Sequence, residues 1–193
     1  ERVNFTRFTD ESKVINYFDA FVPQNKKYKY KITIEDMNLG KEETMSFTEK
    51  SPDFTKFNTS SLLWSQKKIR KSKPEDRNHF IFNSLYIYPN IDNYLDFERD
   101  FPVLYFEIYN LQPDEDDFYA YEIDYSISNK EDGDIYKFKR VKETDAPSVP
   151  EITPPFVFDN MALLDFGKYN VKIKITDLNA DKTITKENTF IIK

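Results

Sequence analysis

A single histidine, His79, and no cysteine leave this chain of 193 residues few routes to covalent or metal chemistry. Thiolate metal sites, a cysteine nucleophile and disulfides are excluded outright. One histidine cannot build a multi-histidine metal centre, and a Ser-His-Asp arrangement would have to use His79 without any G-x-S-x-G elsewhere. The expectation for His79, within RNHFIF, is a loop or strand-edge residue. Three isolated glycines, Gly40, Gly133 and Gly167, cannot form a phosphate-cradling or dinucleotide-binding loop. With 34 acidic residues, carboxylate pairs of the glycosidase kind arise by coincidence. The clusters DEDD at Asp114 to Asp117 and EDGD at Glu131 to Asp134 offer oxygen ligands to a hard cation, but neither has EF-hand spacing and both read as solvated turns. No catalytic residue, metal or cofactor is assigned, and a non-enzymatic role is expected.

Aromatic side chains are the better functional signal, since 18 Phe, 13 Tyr and one Trp supply much of the apolar area available for burial. Over Val103 to Asn110, alternation puts Leu104, Phe106 and Ile108 on one face and Tyr105, Glu107 and Tyr109 on the other. If the first set is core, the second presents two tyrosines around a carboxylate. Such a platform suits a sugar ring or a protein partner. The competing arrangement covers it with a neighbouring segment, of which the stretch bearing Trp64 is the first candidate. Tyr105, Glu107, Tyr109 and Trp64 are therefore the candidate contacts. The net charge of −6, from 28 basic and 34 acidic residues, disfavours nucleic acid. No apolar run approaches the roughly 20 residues of a membrane-spanning helix, so membrane insertion is not expected.

The elements that must position these residues are strands. Tyr119, Tyr121, Ile123, Tyr125 and Ile127 alternate with Ala120, Glu122, Asp124, Ser126 and Ser128, the pattern of a half-buried strand. Similar patterns cover Val103 to Asn110, Ile135 to Val141, Phe156 to Leu163, Tyr169 to Asp177 and Thr183 to Ile192. No convincing helix lies between them to make parallel crossovers, which predicts an all-β antiparallel sandwich with hairpin and Greek-key links. Pro147, Pro150, Pro154 and Pro155 mark a loop rather than a central strand.

An internal repeat joins YKYKITIEDMNLGKEETMSF, from Tyr28, to YNVKIKITDLNADKTITKENTF, from Tyr169. At one constant offset Tyr28, Ile32, Ile34, Asp36, Asn38 and Lys41 match Tyr169, Ile173, Ile175, Asp177, Asn179 and Lys182. Each copy reads as strand, tight turn and return strand.

The second copy opens with Asp165, Gly167, Tyr169 and Val171 in the order D-x-G-x-Y-x-V. This resembles the D-x-G-x-Y-x-C that opens strand F of immunoglobulin-like domains, with Val171 at the cysteine position. The resemblance implies an immunoglobulin-like β-sandwich whose structural corner is Asp165, Gly167 and Tyr169, the tyrosine hydroxyl bonding back to nearby backbone. It predicts a sandwich over 84–193, closed by the hairpin from Tyr169. By the same logic Tyr28 to Lys50 closes an earlier, partial sandwich over 1–57, truncated or completed by upstream sequence or another chain. Residues 58–83 then read as a connection, anchored by Trp64 and carrying a solvated basic stretch, Lys67, Lys68, Arg70, Lys71 and Lys73. The start at Glu1 reads as that of a processed or trimmed chain.

A second resemblance rests on Pro89 and Asn90, the run Tyr105 to Leu111, and Gly167, Tyr169 and Asp177. These residues look like the tandem β-sandwich region of secreted bacterial proteins named for a GWxTD motif, although the motif itself is absent. The resemblance implies an exported or cell-envelope setting and a role in assembly or adhesion. The expected partner is a protein or larger assembly, met by strand addition at the N-terminal hairpin. A carbohydrate-binding module or glycan-active accessory domain using the exposed tyrosines is the alternative.

Overall fold

The structure is a computed structural model that describes residues 25–36, 38–51, 53–65, 80–82, 85–88, 90, 93–96, 103–129, 133–153 and 164–192. His79, the basic stretch from Lys67 to Lys73 and the expected strand from Phe156 to Leu163 lie outside them. The described residues form β-strands and turns, with no helix among them. The fold is all-β and, apart from one short parallel contact, antiparallel.

One sheet has five strands. β9 (Tyr119–Asn129) lies between β10 (Gly133–Thr144) and β12 (Gly167–Asp177), β12 continues to β13 (Lys182–Ile192), and β7 (Tyr94–Leu95) adds a two-residue parallel edge. The facing sheet is organised by β8 (Val103–Tyr109), flanked by β11 (Val149–Ile152) on one side and by β3 (Asn58–Thr59) and β4 (Leu63–Ser65) on the other. Asn58 to Ser65, expected within a connection, thus pairs directly with β8. β5 (Phe80–Phe82) and β6 (Leu85–Ile87) pair with each other.

The core lies between the two larger sheets. β9 contributes Tyr121, Ile123, Tyr125 and Ile127, β12 contributes Tyr169, Val171, Ile173 and Ile175, and β8 faces them with Leu104, Phe106 and Ile108. Trp64 is 1% exposed, opposite Leu104 in the register of β4 and edge-on to Phe190 at 5.2 Å. Tyr169 stacks on the same Phe190 ring at 5.5 Å. With no disulfide to bridge the sheets, these rings fill the space between them. The Tyr169 hydroxyl donates to the Asp165 carbonyl at 2.8 Å, tying the entry of β12 to its own strand.

β1 (Lys27–Asp36) and β2 (Lys41–Lys50) make a separate two-stranded hairpin with an unbroken ten-pair register. Its turn is built like that between β12 and β13. Asp36 Oδ1 accepts from the amides of Asn38 and Leu39, as Asp177 Oδ1 does from Asn179 and Ala180. The residue before each return strand is left-handed, Gly40 at φ 60° and Asp181 at φ 50°. Both are residue types that enter that region at low cost. Registers agree as well, with Asp36 opposite Lys41 and Asp177 opposite Lys182.

Candidate functional site

The expected platform on β8 is assembled but not exposed. Tyr105 and Glu107 are each 4% exposed, and Tyr109 is half-buried. The Tyr105 hydroxyl donates to Glu107 Oε1 at 2.7 Å and the Tyr109 hydroxyl donates to Glu107 Oε2. Both carboxylate oxygens are therefore engaged by phenols of the same strand. The physical reason for the burial is a second layer. Tyr105 packs with Leu85, Ile87, Val103 and Leu63 in a small cluster on the outer side of β8. Phe54 meets Tyr109 edge-on at 4.6 Å. β3 and the residue after it close the middle: Ser60 Oγ accepts from the Glu107 amide at 2.9 Å, and Thr59 Oγ1 donates to the Glu107 carbonyl at 2.7 Å. Alternation divides the two faces of β8 correctly but gives no sign that both are covered. As arranged, Tyr105, Glu107 and Trp64 are packing and hydrogen-bonding residues, and the open groove that would mark a sugar platform is not formed by them.

A second buried polar group carries no motif. Glu151 on β11 stands opposite Phe106 and so points into the sandwich. It is 1% exposed, and its Oε1 accepts from the Tyr121 hydroxyl of β9 and from Lys142 Nζ of β10 at 2.7 Å. Among the described residues, Glu151 Oε2 and the nearby Tyr125 hydroxyl are buried without a hydrogen-bond partner. The sequence signal available was weak: a glutamate between prolines, in a segment that read as loop.

Burial pushes the phenols of Tyr109, Tyr121 and Tyr125 well above the ordinary 10.0, aided by Glu107 for the first and by the charge of Glu151 for the other two. The folded chain therefore keeps protons that the unfolded chain releases. This contribution to stability is fully present below pH 10.0 and is lost as pH rises through the folded-state values. A spectrophotometric titration should find Tyr109, Tyr121 and Tyr125 among the tyrosines that ionise only with or after alkaline unfolding. Tyr125→Phe should reduce that delayed group by one. Smooth titration of all tyrosines near the ordinary value, with the fold intact, would contradict the burial described.

The outer face of the five-stranded sheet holds a shallow hollow of about 520 Å³ lined by Asp124, Ser126, Lys137, Lys139, Lys172 and Lys174. Its lysines are largely neutralised. Lys139 lies 2.8 Å from Glu122 and 3.4 Å from Asp124, Lys137 lies 2.8 Å from Asp134, and Lys172 lies 3.6 Å from Glu187. In the acidic turn before β9, Asp114 Oδ1 accepts from the amides of Asp116 and Phe118, as a turn-forming residue does.

Among the described residues, the β1–β2 hairpin carries an exposed apolar face. Residues opposite one another share a face, which gathers Tyr28, Tyr30, Ile32 and Ile34 with Phe47 and Met45 at its centre and Glu43 and Glu49 at its ends. Tyr30 stacks on Phe47 at 5.1 Å, yet Ile34 is 56% and Phe47 43% exposed. The matching residues Ile173 and Ile175 are fully buried. The opposite face is polar, with Lys27, Lys29, Lys31 and Thr33 beside Lys50, Thr48, Ser46 and Thr44.

No protein-family model matches this chain, and no curated protein matches it in sequence.

Proposed function

We propose that the protein is a non-enzymatic structural and protein-interaction module acting in assembly or adhesion, with the β1–β2 hairpin as its docking element. The single observation that carries this reading is the difference between two like hairpins. β12–β13 buries its apolar face in the sandwich, whereas β1–β2 leaves the corresponding face in solvent. An isolated two-stranded hairpin is marginal in water, and an exposed apolar face of this kind marks an interaction surface. The buried state of the polar side chains on β8 and β11 supports a scaffold role for the sandwich. An exported or cell-envelope setting belongs to the proposal and rests on the resemblance of Tyr105 to Leu111 and Gly167 to Asp177 to the tandem sandwiches of secreted proteins.

The test places a photo-crosslinking residue at Ile32 or Met45 on the apolar face, and at Lys29 or Ser46 on the polar face, in the chain expressed by its producing cell. The expected result is a discrete protein adduct from the apolar-face positions and little from the others. Equal labelling from both faces, or none from either, would overturn the docking role.

A further inference from the structure

Resting on the docking role just proposed, we infer that the hairpin takes an added β-strand from a different protein, antiparallel to β1 along Lys29 to Asp36. The added strand presents aromatic or β-branched residues toward Tyr30, Ile32 and Ile34. On the alternate positions it presents acidic residues toward Lys29 and Lys31.

The chain contains its own precedent. β12 pairs on its free side with β9 over Asn170 to Asp177, which are the positions equivalent to Lys29 to Asp36. There Ile127, Tyr125 and Ile123 stand opposite Val171, Ile173 and Ile175, and Asp124 stands opposite Lys174 on the outer face. The other side of the pair is less committed, since β13 meets β7 over only two residues. The long, productive edge of this hairpin type is thus the β12 edge, which is the β1 edge in the first copy.

β1 presents that edge in pairing-ready form. The Lys26 carbonyl accepts from the Ser51 amide at 2.8 Å, and the Asp36 carbonyl accepts from Gly40 at the turn. Even-numbered residues therefore direct their backbone groups at β2, and the amides and carbonyls of Lys29, Lys31, Thr33 and Glu35 point outward. Without a sheet partner among the described residues, these groups are the material of β-augmentation, in which main-chain bonds supply affinity and alternate side chains supply selectivity. Lys29 and Lys31 lie on the same polar face as Lys27 and Lys50, and this concentration of positive charge selects acidic positions on the incoming strand.

The probe is a synthetic peptide with the β9 sequence Tyr119–Asn129 carrying Glu122→Lys, Ser126→Asp and Ser128→Asp. In the inferred register this sets the two aspartates against Lys31 and Lys29 and a lysine against Glu35. Added to the whole protein, it should bind and slow hydrogen exchange at the outward amides of β1. A peptide with lysines at the two aspartate positions should bind several-fold more weakly. Lys31→Pro removes an outward amide and blocks the edge, and should weaken binding about tenfold against a Lys31→Ala control. Retention of the hairpin in the proline variant is checked by the contact between the Tyr30 and Phe47 rings. Equal binding to both variants, protection confined to β2, or self-association of the protein through the hairpin would overturn strand addition at β1. If the peptide fails while the apolar-face crosslink forms, the docking role stands and this mode of docking falls.

Discussion

A Lys142→Met variant should lose about 3–5 kcal/mol of unfolding free energy in urea or guanidinium titrations, because it strands a buried carboxylate. Glu151 is 1% exposed, and its Oε1 is held by Lys142 and Tyr121. Oε2 has no partner among the described residues. Methionine keeps most of the lysine stem and its packing, so the loss reports the missing cation. Against a total stability of about 5–15 kcal/mol for a domain, such a loss is a large fraction. The effect comes from imbalance and not from any special strength of the pair. Replacing the whole group, Tyr121→Phe with Lys142→Met and Glu151→Leu, should return stability to within about 1 kcal/mol of the original. A cost below about 1 kcal/mol for Lys142→Met alone would mean that water reaches the carboxylate, and the sealed position of β11 would be wrong.

Ile173→Ala and Ile32→Ala form a matched pair at equivalent positions with very different expected costs. Ile173 is fully buried between the sheets, and truncation there leaves a cavity worth about 2–5 kcal/mol. Ile32 is 36% exposed on a hairpin with no covering layer among the described residues, and its truncation should change the stability of the sandwich by less than about 0.5 kcal/mol. The same substitution should matter once a partner covers the hairpin, when Ile32→Ala weakens the complex while leaving the free protein unchanged. Equal costs in the isolated chain would show that the first hairpin is already packed as the second one is.

The fold was legible where strands are long and half-buried. The alternation of Tyr119 to Ile127 marks the inner face of β9 residue for residue, and the repeat from Tyr28 and Tyr169 corresponds to two hairpins of one register and one turn. Pro147 and Pro150 pointed to a loop, yet Val149–Ile152 forms β11. Pro150 sits on a sheet edge, where a missing donor costs nothing. β3 and β4, of two and three residues, are too short to show any period. Their existence is decided by β8, which needs partners for its backbone. The candidate contacts on β8 show the other limit. A glutamate between two tyrosines reads as a polar face, and only the three-dimensional arrangement reveals that the phenols satisfy the carboxylate and allow it to be buried. Glu151 was invisible for the same reason, since its partners, Lys142 on the preceding strand and Tyr121 on β9, are brought to it only by the packing of the two sheets.

Among the described residues β10 is the outermost strand of the five-stranded sheet on one side, and its register shifts between Asp134 and Tyr136. Beyond that irregularity the strand carries Lys137, Lys139, Arg140 and Lys142. An approaching strand from a second molecule would meet a distorted ladder at the start of β10. The remaining sandwich edges are short, two residues in β7 and in β3 and four in β11. An open filament requires two complementary surfaces on every subunit. Among the described residues the edge strands of the sandwich are thus short or irregular, so association directed at the hairpin finds little on the sandwich itself along which to propagate.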